Sequence, residues 1–556
     1  MSPAHDALIA AGMAWYGWRY WRPLDRAAAR PAATQAALLR RILTANAATD
    51  FGVAHRFDAL QTQADYAAAV PIQEYEDLRP YVERQRTTGA AALTAQAPVL
   101  YAQTSGSTGT PKYVPITPAV LAVHRAEQKI FSYLQYRACP EAFAGRTLGI
   151  MGAAVEGALG SGHTVGSVSG HLYRSMPRMV RARFVVPPDV SAVTDYDLKY
   201  RLILRLALET PDITYLGAPN PSSFLRLATL LDLHRDALID SLATGRFDDA
   251  ALPAPTRAAI AGRITPQPAR AAAIARLPAL TFRDVWPRIA LVTTWTGGSC
   301  GIALGALRPM LPPTARVMEL GYQSTEFRGT LALAPDVSGG LAPLHHTYFE
   351  FVDEAAWNDG RRDTRRLDQL EAGRRYQVVV TTSGGLYRYA MNDLVEVAGR
   401  HRSTPLLRFV QKGRGVTNLT GEKLYESQVI DAVQQAAAAH GLHPSFFLMV
   451  ADEAAQQYRL FVETHAPVSL AVESAIIAAV DAGLAARNLE YHAKRDSGRL
   501  ARPALTWVGP DAGDVYKAAC VRGGQREGQY KPAVLVYARD MKLAPDALVA
   551  SAVGQP

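Results

Sequence analysis

Cysteine is nearly absent from this chain, and lysine is scarce beside arginine. Its 556 residues include three cysteines, Cys139, Cys300 and Cys520. They stand far apart with no CxxC pair and no even count, which excludes a disulfide framework and a cysteine-built zinc site. A reducing cytoplasm is the expected setting. Nine of the 59 basic residues are lysine and fifty are arginine; against 50 acidic residues the net charge is +9. That bulk charge is mild, and no basic block carries interleaved aromatics, so nucleic acid is not an expected partner. Long hydrophobic runs are also missing. The apolar stretch from Ala7 to Gly17 follows Asp6. It has no basic start and no small-residue cleavage site, and it is too short to span a bilayer. It reads as an amphipathic helix packed on the body, with a membrane-surface helix as the alternative. No stable membrane insertion is expected, and the oligomeric expectation is a monomer.

What is present is an ordinary globular composition, 49% hydrophobic and 20% charged. At roughly 150 residues per unit the length suggests about three to four structural units, with ample material for a large core. Residues 1–95 read as mostly helical. Val99 to Gln103 reads as a short strand, and a helix is expected from Pro118, a first-turn proline. Ile289 to Thr294 and Val378 to Thr382 read as buried strands. Ala251 to Arg276 reads as surface helix. The rhythm changes near Lys412, where Lys412-Gly-Arg-Gly415 is polar and flexible. Beyond it come a helix (Glu426 to His440), two strands (Phe446 to Ala451, Tyr458 to Glu463), a long helix (Val468 to Arg487) and a strand (Ala504 to Val508). The fold class is therefore α/β: a large body over 1–412 with mixed sheets and helices, and a small α+β domain over 413–556.

The most informative segment is Tyr101-Ala-Gln-Thr104-Ser105-Gly106-Ser107-Thr108-Gly109-Thr110-Pro111-Lys112. A strand empties into small and hydroxylated residues and then meets a lysine. Glycines let backbone N–H groups turn towards an anion, hydroxyls donate to phosphate oxygens, and the lysine supplies charge. The spacing, Gly106-x-x-Gly109-x-x-Lys112, is not that of a Walker A loop. A flexible surface loop is the bland alternative.

This loop resembles the signature of adenylate-forming enzymes, and other segments narrow the likeness to the GH3 acyl-acid amido synthetase family. Pro71 to Arg84 resembles the segment before the family's loop. Trp295-Thr-Gly297-Gly298-Ser299 is similar to its central turn. Tyr322-Gln323-Ser324-Thr325-Glu326 resembles its adenine-side motif, Gly385-Leu-Tyr387-Arg388-Tyr389 with Asp393 its ribose-side segment, and Gly528-Gln529-Tyr530-Lys531 its C-terminal lysine motif. These segments run in order over nearly the whole chain.

The resemblance implies two half-reactions. A carboxylic acid and ATP form an acyl-adenylate with release of pyrophosphate, and an amino acid amine then takes the acyl group. Thr104, Ser105, Gly106, Ser107, Thr108, Gly109 and Lys112 would hold the phosphates. Tyr322 would face adenine, and Gln323 would lie beside it. Ser324 and Thr325 would reach the α-phosphate, Glu326 would hold Mg2+, and Asp393 the ribose diol. Asn392 stands where glycine is commoner in related enzymes. Lys423 and Lys531 would act on phosphate or adenylate from a mobile C-terminal domain. Gly166, Ser167 and Ser169, with Gly297 and Gly298, would line the acyl and amino-acid site. Lys112, Lys423 and Lys531 are three of the nine lysines. Where arginine has replaced most lysines, their retention points to positions that need a compact ammonium.

Three other readings stay open at this level. An adenylate-forming enzyme could pass the acyl group to coenzyme A. Gly297-Gly298-Ser299-Cys300-Gly301 fits the G-x-S-x-G elbow of a serine hydrolase, with Ser299 as nucleophile and His345 or His346 downstream. A non-catalytic ATP-binding protein is the third.

Overall fold

The structure, a computed structural model, describes residues 3–104, 112–155, 157–158, 164–247, 250–297, 300–412, 416–420, 422–464, 468–523, 525, 530 and 532–550. Two compact units divide the chain. The larger comprises Met1–Pro219, Arg226–Trp295 and Met310–Phe409; the smaller comprises Asn220–Leu225, Thr296–Pro309 and Val410–Pro556.

The larger unit opens with helices, including Pro31–Ala45, Asp50–Ala54, Gln63–Ala69 and Tyr75–Thr88. Their ends are set by local chemistry. Thr49 Oγ1 accepts from Gly52 N, Thr62 and Asp65 form a reciprocal capping box, and Gly89 ends its helix at φ 72°.

Three sheets follow. In the first, Leu100–Thr104 pairs antiparallel with Lys112–Ile116, and Tyr101 bridges in parallel to Val165. The helix Pro118–Ala138 comes next, with Thr117 as its cap. The sequence reading passed straight from loop to helix and missed the intervening Lys112–Ile116 strand, which is too short to show a period of its own.

The second sheet is wholly parallel, in the order Arg146–Gly149, Ile213–Gly217, Leu291–Thr294, Arg316–Glu319. All four residues of Leu291–Thr294 are buried. This is why that stretch reads as a continuous apolar run rather than an alternating one. The third sheet has six strands centred on Tyr348–Asp353, Arg375–Thr381 and Tyr389–His401. The Ala- and Arg-rich stretch after 251 is two short helices, Ala254–Ile260 and Pro268–Ala275, interrupted near Gly262 at φ 73°.

The smaller unit carries a four-stranded sheet. Phe447–Asp452 and Gln457–Glu463 form an antiparallel hairpin, extended in parallel by Ala504–Val508 on one side and Leu535–Tyr537 on the other. Both faces are covered. Phe447, Met449 and Ala451 pack with Val429, Val433 and Val480, while Leu448 and Val450 pack with Tyr516 and Val508. Successive side chains of one strand thus enter two different cores. Among the described residues, no helix is long and apolar enough to cross a membrane.

Candidate active site

The parallel sheet aligns four strand ends, Gly149, Gly217, Thr294 and Glu319, on one edge. In open α/β sheets ligands gather beyond that carboxyl edge. The segment after Glu319 turns there. Ser324 N donates to Phe327 O at 3.0 Å, Glu326 N donates to Ser324 Oγ at 3.2 Å, and Gln323 bridges to Arg328. Gln323, Ser324, Thr325 and Glu326 form the half-buried tip of this turn, while Tyr322 at its root is buried.

Tyr322 OH donates to Asp393 Oδ2 at 2.7 Å, although the two residues lie 71 apart in sequence. Both are buried, at 6% and 3% exposure. Burial and the neighbouring Asp393 carboxylate push the Tyr322 hydroxyl well above its ordinary pKa, which keeps it a donor. One face of its ring stacks on Phe409, 5.5 Å between centroids and 22° between planes, and Phe327 meets it edge-on. A Cβ at residue 329 would fall 2.2 Å from the ring, so Gly329 makes the space the tyrosine occupies. Asp393 follows Asn392, whose φ is +52°. That left-handed conformation is the one glycine adopts readily and asparagine tolerates best among other residues. The expected turn before Asp393 is instead an irregularity within the strand Tyr389–His401, where the register against Gln377 to Val379 shifts, and Asn392 supplies the left-handed residue there.

The strands on either side of the segment expected to hold phosphate pair antiparallel, Thr104 with Lys112 and Gln103 with Tyr113. Ser105, Gly106, Ser107, Thr108 and Gly109 lie outside the described residues, as does the side chain of Thr104. Lys112 starts the returning strand, with Nζ 5.3 Å from the centroid of Tyr75. Tyr75 OH accepts from Tyr113 N at 2.6 Å and donates to Tyr113 O at 3.1 Å. Burial raises its pKa to about 12. The Pro71 to Arg84 segment is thereby clamped to the returning strand.

The same segment also meets the Gly385 to Tyr389 motif. Gln73 N donates to Arg388 O at 2.9 Å, and Ala390 N donates to Gln73 O at 2.9 Å. Arg388 itself points into the interior. Nε donates to Glu350 Oε2 at 3.0 Å, and Nη1 donates to Ala67 O and Val70 O at 2.8 and 2.7 Å. Tyr387 OH donates to Leu93 O at 2.6 Å. These two residues tie the helical lead-in to the six-stranded sheet, a role that sequence reasoning did not assign them. Gly385 is held at φ 89° with Leu93 Cβ 2.7 Å from any added Cβ. Trp295 completes the set, with Nε1 donating to Gly321 O at 3.2 Å just before Tyr322. Gly297 is exposed; Gly298 and Ser299 lie outside the described residues.

The Gly166 to Ser169 tract sits beside a cleft at the end of Arg146–Gly149, lined by Met151, Gly152, Gly170, Tyr173, Lys199 and their neighbours. Ser167 Oγ accepts from Gly170 N at 3.0 Å, capping a helix, and donates to Ala153 O at 2.8 Å. Ser169 Oγ is 3.3 Å from Ser167 Oγ. Any side chain at 166 would collide with Ala154 O at 1.9 Å. The tract's glycine and serine content is thus used in part to make this tight cap. His163 lies outside the described residues. His345 stacks on His346 at 3.8 Å, and His346 Nδ1 lies 3.4 Å from Glu127 Oε1. Burial first, and then the neighbouring imidazole, holds His345 well below its ordinary pKa.

In the smaller unit Lys423 is exposed, and its backbone is held by Glu490 Oε2 at 3.3 Å and Asn488 Nδ2 at 2.8 Å. The preceding residue orders this stretch. Glu422, fully buried, accepts from Leu419 N, Thr420 N, Thr420 Oγ1 and Tyr458 OH at 2.7–2.9 Å. Burial raises its pKa, but the hydrogen bonds from Leu419, Tyr458 and Thr420 outweigh that and leave it lowered. Sequence reasoning passed over Glu422; its only signal was a lone acid wedged between a glycine and a lysine. Tyr530 is buried, and its carbonyl accepts from Asn220 Nδ2 at 2.9 Å. Lys531 lies outside the described residues.

The fold that carries this parallel sheet and the Tyr322–Asp393 pair is one that solved adenylate-forming enzymes share. A 2-hydroxyisobutyryl-CoA ligase, solved in the postadenylation state with 2-HIB-AMP, shares it at TM-score 0.56 and 14% identity, covering 95% of this chain and 94% of that one. The likeness to a GH3.15 acyl acid amido synthetase is greater, with TM-score 0.83 at 21% identity over 96% of this chain and 95% of that one. The chain belongs to the GH3 family: the family's N-terminal domain matches residues 22–314, its central domain 341–412 and its C-terminal domain 427–540. Among curated relatives, indole-3-acetic acid-amido synthetase GH3.15 of Arabidopsis thaliana is 26% identical, covering 72% of this chain and 71% of its own length. The GH3.8 enzyme of the same name from Oryza sativa subsp. indica is 26% identical, covering 75% and 72%.

Proposed function

We propose that this protein is an ATP-dependent acyl-acid amido synthetase acting in the cytoplasm. The reading is carried by the way separate motifs converge: Tyr75 on the Lys112 strand, Gln73 on Arg388, Trp295 on Gly321, and Tyr322 on Asp393. In the first half-reaction a carboxylate oxygen bonds to the α-phosphorus of ATP while the bond to the β-phosphate bridging oxygen breaks, and pyrophosphate leaves with that oxygen's electron pair. Two anions must approach, so the barrier is largely electrostatic. Lys112 and the hydroxyls and N–H groups of Thr104 to Gly109 neutralise the phosphates. Asp393, aimed by Tyr322, accepts from the ribose hydroxyls. Ser324 and Thr325 face the α-phosphate, while Lys423 and Lys531 are assigned to phosphate and adenylate by their motifs. In the second half-reaction an amino acid nitrogen attacks the acyl carbon, loses a proton, and AMP departs.

Among the described residues, no group of three His, Cys, Asp or Glu could hold a metal ion. Glu326 would help to hold Mg2+, a hard cation that takes oxygen ligands and would screen the phosphate charge. The cytoplasmic assignment rests on Cys139, Cys300 and Cys520, which are few, far apart in sequence and buried.

The test is carboxylate-dependent pyrophosphate release without amine, in Mg2+ and then in excess chelator. Release with some member of a broad acid panel, lost in chelator, is expected; silence across the panel refutes adenylation. Mass spectrometry of products with amino acids and with coenzyme A decides the acceptor. The solved coenzyme A ligase with the same fold makes thioester formation the second reading, and the names of the curated relatives favour the amide.

A further inference from the structure

The N-terminal helices present two very different faces. Pro3–Tyr16 continues through a π-turn, Gly17–Trp21, into Arg22–Ala27. The inner face is locked to the body. Gly17 approaches so closely that an added Cβ would lie 2.6 Å from the Tyr133 ring, and Lys129 Nζ donates to Tyr20 OH at 3.0 Å. The outer face repeats at helical spacing and is apolar: Leu8, Trp15 and Trp18 are 53%, 48% and 60% exposed. Exposed Arg19 and Arg22 continue the same stripe. A rigidly mounted pair of exposed tryptophans has no use in the core, and a contiguous patch of this kind marks an interaction surface.

A second exposed apolar element stands close by. Tyr133 of the helix Pro118–Ala138 meets Gly17, Tyr136 of the same helix packs edge-on against Phe143, and Arg183 lies over the Phe143 ring at 5.4 Å. Arg183 ends a stretch containing Arg174, Arg178 and Arg181. Within it Met179 and Val180 are exposed. The sequence has no carboxylate from Gly157 to Pro188. Asp189, the first to follow, lies 3.9 Å from Arg174. On the helical side, Asp25 is already held by His401 and Arg402. Among the described residues, no carboxylate forms an ion pair with Arg19, Arg22, Arg178 or Arg181.

We propose that this face seats the protein on an anionic lipid bilayer. Trp15 and Trp18 enter the headgroup region, Met179 and Val180 dip beside them, and arginines 19, 22, 178 and 181 meet lipid phosphates. Tryptophan prefers that interface because its ring is apolar and its N–H can still find water. Arginine pairs bidentately with phosphate. The association lies on the membrane and does not cross it, because among the described residues no helix is long and apolar enough to cross. A protein so placed meets amphipathic carboxylic acids where they partition. The surface does not depend on the catalytic reading.

The experiment is co-sedimentation of the full chain with vesicles of about 30% phosphatidylglycerol in phosphatidylcholine, against phosphatidylcholine alone, at about 0.1 M salt. Binding to the anionic vesicles and little to the neutral ones is expected. W15S/W18S should lower vesicle affinity at least tenfold. Because Trp15 also packs on Tyr16 and Tyr20, W18S alone is the control, with the urea midpoint held and vesicle affinity still reduced. R178Q/R181Q should lower affinity roughly fivefold per arginine. No sedimentation of the unaltered chain with anionic vesicles overturns the proposal. So does undiminished binding by W15S/W18S, or binding of duplex DNA at the same salt that survives W15S/W18S, which would mark a purely electrostatic nucleic-acid face.

Discussion

Tyr322→Phe is the sharpest single perturbation of the site. It removes one oxygen and leaves the ring on Phe409 and Phe327 in place. What it deletes is the 2.7 Å hydrogen bond to Asp393, between two groups buried to 6% and 3% exposure. A hydrogen bond to a charged partner is worth roughly 1.5–3 kcal/mol, and the carboxylate left behind has lost a buried donor. The expected loss of stability is about 2–3 kcal/mol, read as a lower urea midpoint at unchanged m-value. Asp393→Asn keeps an acceptor and should cost less. The double mutant should show a coupling of about 1 kcal/mol or more. ATP affinity is the second readout: Asp393→Ala should weaken it by roughly 1–3 kcal/mol, about 5- to 150-fold. A Tyr322→Phe chain within about 0.5 kcal/mol of the parent, with no coupling to Asp393, would refute the claim that these residues form one buried unit.

Arg388→Met should destabilise the protein by about 3–5 kcal/mol in urea unfolding, because Glu350 is left buried without its cation and two carbonyls lose their donor. Glu422→Gln should lower stability at pH 7. A carboxyl whose folded pKa is lowered stabilises above its unfolded pKa and loses that contribution as pH falls. The deficit of the variant should therefore narrow as pH drops below about 4.5, followed as the urea midpoint against pH. Lys531→Ala should cut amide synthesis at least tenfold with unchanged far-ultraviolet dichroism, and Lys531→Arg should fail to restore it if a compact ammonium is needed; an unchanged rate removes the residue's role.

Elements that rest on local pattern are legible in the residues alone. Thr104 to Lys112 reads as a phosphate loop from the side chains it offers, and the buried run at Leu291–Thr294 reads as a parallel strand from its composition. Asn392 stood out as an oddity in sequence, and its φ of +52° explains why asparagine serves. The short strands Lys112–Ile116 and Leu535–Tyr537 were invisible. Strands that short have too few residues to display a period, and they exist only because a partner strand pairs with them.

Residue types and their spacing suffice for the order of the motifs, the scarcity of lysine outside them, the α/β character and the family. These are properties of residue types and their spacing along one dimension. Only the tertiary structure decided what each motif residue touches. It turned Tyr322 towards Asp393 across 71 residues and buried Arg388 as a structural bolt. It set Ser167 as a helix cap and put Glu422 beneath the stretch that carries Lys423. Such pairings arise when distant segments must satisfy buried donors and acceptors in one shared volume, a constraint that no local stretch of sequence contains.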